Sequence, residues 1–167
     1  LYGQRRGIIV FYYPGSFQGQ RCAQLIADGF KNIYPLPNDV RTAPSTTIGE
    51  IRKVQATSVF LELGFHDNLD DAVWIKSNID ASARSIALSL TEFFELPFLT
   101  PAAYRKAVVD VNWGNLNIRD TPSTSSPVVI QAPDGASLTV INQYRDWYVV
   151  RYEGVVGWAY GDFITLV

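Results

Sequence analysis

At Pro97-Phe98-Leu99-Thr100-Pro101 the hydrophobic pattern of this 167-residue chain changes its period. Before that point, continuous apolar runs alternate with segments of helical spacing. After it, short β-rich runs are broken by Gly, Pro, Asn and Asp. No single pattern serves both halves, so the chain is expected to divide. Residues 1–98 read as a partial α/β unit of strands with flanking helices, 99–106 as a linker and 107–167 as a small all-β barrel.

In the first unit, Gly7 to Tyr13 is a β-branched and aromatic run stopped by Pro14-Gly15, the pattern of a strand buried on both faces. Ser16 offers a cap to a helix through Arg21 to Ile33, with Cys22, Leu25, Ile26, Gly29 and Ile33 on one side. Pro35 to Asp39 reads as a loop, and Ser58 to Phe65 as a second buried strand carrying one charge, Glu62. Asn68 then caps a short helix whose Asp70 and Asp71 suit the positive end of its dipole and whose Trp74 and Ile75 face inward. A longer helix from Ile79 to Phe94 places Ala83, Ile86, Ala87, Leu90 and Phe94 at i, i+3, i+4 spacing. Two strands are too few for a sheet covered by helices, so this unit is expected to be incomplete.

The second unit offers strands at Val108–Val111, Leu116–Arg119, Ser137–Ile141, Trp147–Tyr152 and Val156–Tyr160, with turns at Asp134-Gly135, Arg145-Asp146 and Glu153-Gly154. About 60 residues lies near the lower limit for an independent core, so aromatic side chains must supply much of the buried area. Trp113, Tyr144, Trp147, Tyr148, Tyr152, Trp158 and Tyr160 are nonetheless too numerous for one small core. Some are expected to line an exposed groove for a peptide or glycan; Tyr144, Tyr148, Tyr160 and Trp113 are the candidate binding residues.

Composition removes several classes of function. With one Cys and one His, Cys22 and His66, no internal disulfide forms and no His-rich or Cys-rich metal site fits within the chain. A net charge of −2 and no basic run longer than Arg5-Arg6 argue against nucleic acid as a partner. No stretch approaches the roughly 20 apolar residues of a membrane span. Leu1 stands where a Met would open a gene product, which leads us to expect an upstream part.

Glu62 is the candidate catalytic residue. A carboxylate inside an apolar strand must meet a polar cleft, a cation or a strand end, because unpartnered burial costs several kcal/mol. From pattern alone, catalysis and a salt bridge to an Arg are equally open. His66, between a strand and a helix cap, reads as hydrogen-bonded structure, and Cys22 as a small buried hydrophobe.

Two families supply further expectations. Leu116 to Ser123, Asp134 to Val140, Trp147 to Val150 and Gly154 to Ala159 resemble, in order, the strands of bacterial SH3-type domains. That likeness implies an SH3-like barrel that targets peptidoglycan, with Trp147 and Trp158 in its core. Val59 to Asn68, followed by Asp71-Ala72, Trp74-Ile75 and Asn78, resembles the C-terminal half of the zinc-dependent N-acetylmuramoyl-L-alanine amidases. This second likeness implies a truncated amidase fold in which Glu62 is catalytic. Zinc is then the cofactor, its two His and one Glu lying upstream, so that this chain holds no metal ligand and is inactive alone. The partners implied are peptidoglycan and the N-terminal part of the same protein, in a secreted or wall-associated bacterial hydrolase. The alternative is a non-catalytic peptidoglycan-binding fragment released by processing.

Overall fold

A computed structural model describes residues 3–167. The chain divides into two compact units, one ending at Phe98 and the other running from Leu99 to Val167.

The first unit begins with β1 (Ile8–Tyr12), whose Ile8, Ile9 and Val10 are buried. Helix α1 (Phe17–Lys31) follows and β2 (Val40–Pro44) returns parallel to β1, with Ile8 opposite Val40. After a single turn, α2 (Gly49–Arg52), strand β3 (Val59–Glu62) runs antiparallel on the other side of β1. The sheet order is therefore β2-β1-β3, three strands where two were expected. β2 carries Arg41 and ends in Pro44, an edge-strand composition with no apolar run to announce it. The expected loop Pro35 to Asp39 holds a 3-10 turn at Pro37–Asp39.

Ser16 caps α1 as expected, its Oγ accepting from Gly19 N at 3.1 Å, and the helix starts at Phe17. Cys22, Ala23, Ile26, Ala27 and Phe30 form its buried face. Helix α3 (Leu69–Ser77) is capped by Asn68, whose Oδ1 accepts from Asp70 N and Asp71 N.

Helix α4 (Ile79–Phe93) corrects the expected apolar face. The side it buries is Ser82, Ser85 and Ser89, while Ala83, Leu90 and Phe94 are exposed. The reason lies at the crossing with α1. A Cβ on Gly29 would meet Ser85 Oγ at 2.7 Å and Ser89 Oγ at 2.9 Å, so the helices touch where neither carries bulk. Ser89 Oγ also lies within hydrogen-bond distance of Leu25 O in α1 (3.1 Å) and of Ser85 O (3.0 Å). Small residues admit the close approach, and the Ser89 hydroxyl is satisfied on backbone carbonyls there.

Asp71 is the second correction. The sequence offers it as a first-turn carboxylate at a helix end, but it is fully buried. Its Oδ2 accepts from Gly7 N (3.1 Å), just before β1, and from Phe65 N (3.0 Å), just after β3. Its Oδ1 accepts from the Tyr34 hydroxyl and lies 3.6 Å from Arg6 Nε; the same guanidinium reaches Asp70 Oδ2 at 3.0 Å. Gly64 makes the approach possible. At φ +134° it occupies a region L side chains avoid, and a Cβ there would press on Asp71 Oδ2 and Ile75 Cδ1, both at 3.2 Å.

In the second unit, β4 (Arg105–Val109), β5 (Asn115–Arg119), β6 (Val128–Pro133), β7 (Ser137–Tyr144), β8 (Trp147–Tyr152), β9 (Val155–Tyr160) and β10 (Ile164–Leu166) form one antiparallel sheet. Its order is β10-β4-β7-β8-β9-β5-β6, with β10 and β6 as the two ends. The sequence reading anticipates neither β6 nor β10, and β4 starts at Arg105, inside the expected linker. Leu116, Ile118, Leu138, Val140, Val150 and Ala159 share one core. The β8–β9 hairpin turns at Glu153 and Gly154, both with positive φ, as a two-residue connection between twisted strands requires.

Two outcomes follow from the Asp71 cluster. Asp71→Ala strands two backbone donors and a phenol and removes the more deeply buried of the two carboxylates beside Arg6. Loss of such a buried charged partner costs about 3 kcal/mol, and urea unfolding of the whole chain followed by circular dichroism should show it. Burial, and then the hydrogen bond to Asp71, push the Tyr34 phenol from 10.0 up to about 12. The folded state then keeps a proton that the unfolded chain releases near pH 10, so this contribution to stability is complete below pH 10 and falls away towards about pH 12. Tyr34→Phe should flatten the decline of the urea midpoint across that window; an unchanged slope would refute the assignment.

Candidate functional site

Glu62 is the last residue of β3, opposite Ile9 of β1. It is half-buried, between Leu61 and Leu63, which pack against the core. Among the described residues no Lys or Arg forms an ion pair with it and no side-chain hydrogen bond reaches it. The salt-bridge alternative is therefore not realised among those residues, and the carboxylate retains its capacity to accept.

What holds Glu62 in place lies immediately downstream. The Phe65 amide, three residues on, is tied to Asp71, and Gly64 lets the chain turn close over that carboxylate. Asp67 Oδ2 accepts from Gly3 N at 2.9 Å, and Asn68 Nδ2 donates to Gly3 O at 2.8 Å. The Gly3 amide keeps the Asp67 carboxyl below the usual carboxylate range. The strand that carries Glu62 is thus pinned at its C-terminal end by a hydrogen-bonded polar cluster.

His66 is exposed. Cys22 is buried against the first core, and burial pushes its thiol up, as for a small hydrophobe rather than a nucleophile. Among the described residues no group of three or more His, Cys, Asp and Glu is placed to hold a metal ion. The side chains present do not fit a zinc site by themselves.

The second unit contains a cleft of about 980 Å³. Its aromatic wall is Trp113, Trp147, Tyr160 and Phe163, with Trp147 and Tyr160 edge-to-face at 5.3 Å and Tyr160 and Phe163 at 6.2 Å. Trp113 is 89% exposed, whereas Trp158 is buried. Trp147, expected in the core, is half-buried and faces the cleft instead. The period-2 rule explains this: Tyr148 and Val150 point into the core, so Trp147 points away from it.

Of the four candidate binding residues, Trp113 and Tyr160 meet in this cleft. Tyr148 packs on the core with the Arg105 guanidinium 5.6 Å from its ring, and Tyr144 lies at the end of β7 beside Arg145, 5.1 Å away. Neither of those two lines the cleft. The floor comes from residues the sequence reading passes over: Asn115, Asn117 and Arg119 on the outward face of β5, and Gln131 on β6. Their signal is the alternation Asn115-Leu116-Asn117-Ile118-Arg119, whose apolar members are buried. Gln131 Nε2 donates to Asn117 Oδ1 at 2.7 Å, and Arg119 Nη1 to Ser126 O at 2.7 Å.

Comparison with known proteins gives both units a relationship. A family model described as N-acetylmuramoyl-L-alanine amidase matches residues 2–92, and one described as bacterial SH3 domain matches residues 114–165. YrvJ of Bacillus subtilis (strain 168), which carries the name of an N-acetylmuramoyl-L-alanine amidase, is 22% identical over 130 residues. That alignment takes in 76% of this chain and 24% of YrvJ, so the chain spans about a quarter of the length of the relative it matches. The CwlD amidase from Clostridioides difficile, solved in complex with the GerS lipoprotein, superposes with a TM-score of 0.52 and 17% identity, over 56% of this chain and 48% of that one. The catalytic domain of the CD27L endolysin targeting Clostridia difficile gives 0.46 and 21%, over 58% and 50%. The CwlD likeness is one of fold alone. With the amidase model covering more than half of its residues, the chain belongs to the N-acetylmuramoyl-L-alanine amidase family and carries a bacterial SH3 domain behind the amidase segment.

Proposed function

We propose that the protein is the part of a peptidoglycan hydrolase that supplies the catalytic carboxylate and a wall-binding module. The bond cut is the amide between the lactyl group of N-acetylmuramic acid and L-alanine. The observation that carries this reading is Glu62: a carboxylate without an ionic partner among the described residues, ending an otherwise apolar strand whose end is pinned by Asp71.

In this reading Glu62 accepts the proton of the attacking water as its oxygen bonds to the amide carbon. It then returns that proton to the nitrogen as the carbon–nitrogen bond breaks, leaving a lactyl carboxylate and a free L-alanine amine. A fixed carboxylate can serve both transfers because acceptor and donor are the same atom pair. Zinc is the metal we associate with this chemistry, as a Lewis acid for the carbonyl oxygen; its ligands are assigned outside the residues described. The 167 residues alone are accordingly proposed to bind walls without lysing them, a reading supported by the lack, among the described residues, of three metal-ligating side chains placed together.

The SH3 unit is proposed to hold the enzyme on its polymer through the aromatic cleft. Tethering raises the local concentration of scissile bonds around the carboxylate without any new contact at the reacting centre. The proposed working location is accordingly the cell wall.

In the longest form of the protein that lyses bacterial walls, Glu62→Gln should lower turnover by roughly 10²–10⁴-fold, the usual contribution of a general base. Sedimentation with walls and the thermal midpoint should be unchanged. Turnover within a few-fold of the parent protein would remove Glu62 from the reaction.

A further inference from the structure

The cleft of the SH3 unit has a chemistry that narrows its ligand, and the inference rests on reading this unit as wall-binding. We propose that it takes the glycan strand of the wall, as an uncharged run of N-acetylated amino-sugar residues, rather than the peptide stems.

Four flat apolar surfaces line it, Trp113, Trp147, Tyr160 and Phe163, two of them on β8 and β9 where the sheet fixes their position. Trp113 gives almost its whole ring to solvent. Pyranose rings present CH-lined faces that stack on such surfaces, with hydroxyls left at the ring edge. Facing the aromatics are planar amides, Asn115, Asn117 and Gln131, which offer paired donors and acceptors to vicinal hydroxyls and to acetamido groups. The Gln131–Asn117 hydrogen bond orients two of these amides before any ligand arrives.

Two observations count against a peptide. A peptide added as a strand needs an open sheet edge. The floor of this cleft is the side-chain face of β5, which pairs with β6 from Asn115 to Arg119 and with β9 at Arg119, so what it offers a ligand is side-chain amides. Charge is the second. Asp110 and Asp162 are set against Arg119 alone, and that guanidinium already donates to Ser126 O. Peptide stems carry free carboxylates, which two aspartates repel. In an uncut strand the lactyl carboxyl is tied up as an amide, so the strand itself is neutral. Cutting that amide liberates a carboxylate on the glycan, and the same aspartates then disfavour the product.

The test uses the whole 167-residue chain, titrated calorimetrically with the neutral hexamer of N-acetylglucosamine and, separately, with a free stem peptide; sedimentation with intact walls runs in parallel. The proposal expects saturable binding of the hexamer. Trp113→Ala and Asn117→Ala, both at solvent-facing positions, should each weaken it tenfold or more at unchanged thermal midpoint. Binding of the stem peptide with no heat from the hexamer would overturn it. Walls bound equally by the parent chain and by both variants would move the ligand out of this cleft, overturning the proposal while the wall-binding reading stands. Failure of the parent chain to sediment with walls would remove that reading as well.

Discussion

The first unit depends on a single buried carboxylate. An isolated charge moved out of water is so costly that it either neutralises or gathers partners, and Asp71 gathers them from four places. Gly7 precedes β1, Phe65 follows β3, Tyr34 lies beyond the end of α1, and Arg6 adds a cation from the approach to β1. Gly7 and Phe65 lie in irregular backbone, where their amides lack a ladder or helix partner of their own. One side chain thus completes the hydrogen bonding of the sheet's ends and fixes which loops meet. Replacing it with an apolar residue of similar volume would leave the Gly7 and Phe65 amides and the Tyr34 hydroxyl without their acceptor, which is why shape alone cannot substitute for charge here.

The packing of α4 follows from a related constraint. Helical periodicity identifies the helix correctly, because apolar residues do recur at three and four. It misassigns the face, because the close crossing of α1 and α4 is set by the absence of bulk at Gly29 and by the Ser89 hydroxyl bonding to carbonyls. Apolar residues on the outer side, such as Leu90 and Phe94, belong to a surface that this unit leaves exposed. Hydrophobic pattern reports what a residue prefers; a close crossing is decided by what two helices can tolerate.

The same distinction separates what was legible from what was not. β1, α1, β3, both caps at Ser16 and Asn68, and the hairpin turns of the second unit are local signals: apolar runs, cap residues and Gly-containing pairs whose conformations follow from their own chemistry. β2, β6 and β10 are pairings, formed because a neighbour offers a ladder, and Val40-Arg41-Thr42-Ala43-Pro44 carries little preference of its own. Glu62 stood out because a charge in an apolar strand is a local anomaly. Asp71 did not, because a carboxylate in the first turn of a helix is ordinary, and only tertiary structure shows that it is buried. In the cleft, aromatic count pointed to a binding surface, but the alternation along Asn115 to Arg119 was needed to see that its floor is made of amides.

The two candidate sites are built to opposite specifications. In the reaction proposed above Glu62 must be held still, since proton transfer requires a donor and an acceptor at hydrogen-bond distance, and a strand tied at its end to a buried, hydrogen-bonded carboxylate resists displacement. On the proposed wall-binding reading the cleft must instead accept a repeating polymer in many registers, and flat rings such as Trp113 give stacking area without demanding a unique position along the chain. Only its amides impose orientation, and these are coupled in advance through Gln131 and Asn117. In that proposal a rigid polar anchor serves the reacting bond and an exposed aromatic face serves the polymer. Neither could be exchanged for the other, because a stacking surface cannot fix a proton and a pinned carboxylate cannot slide along a glycan.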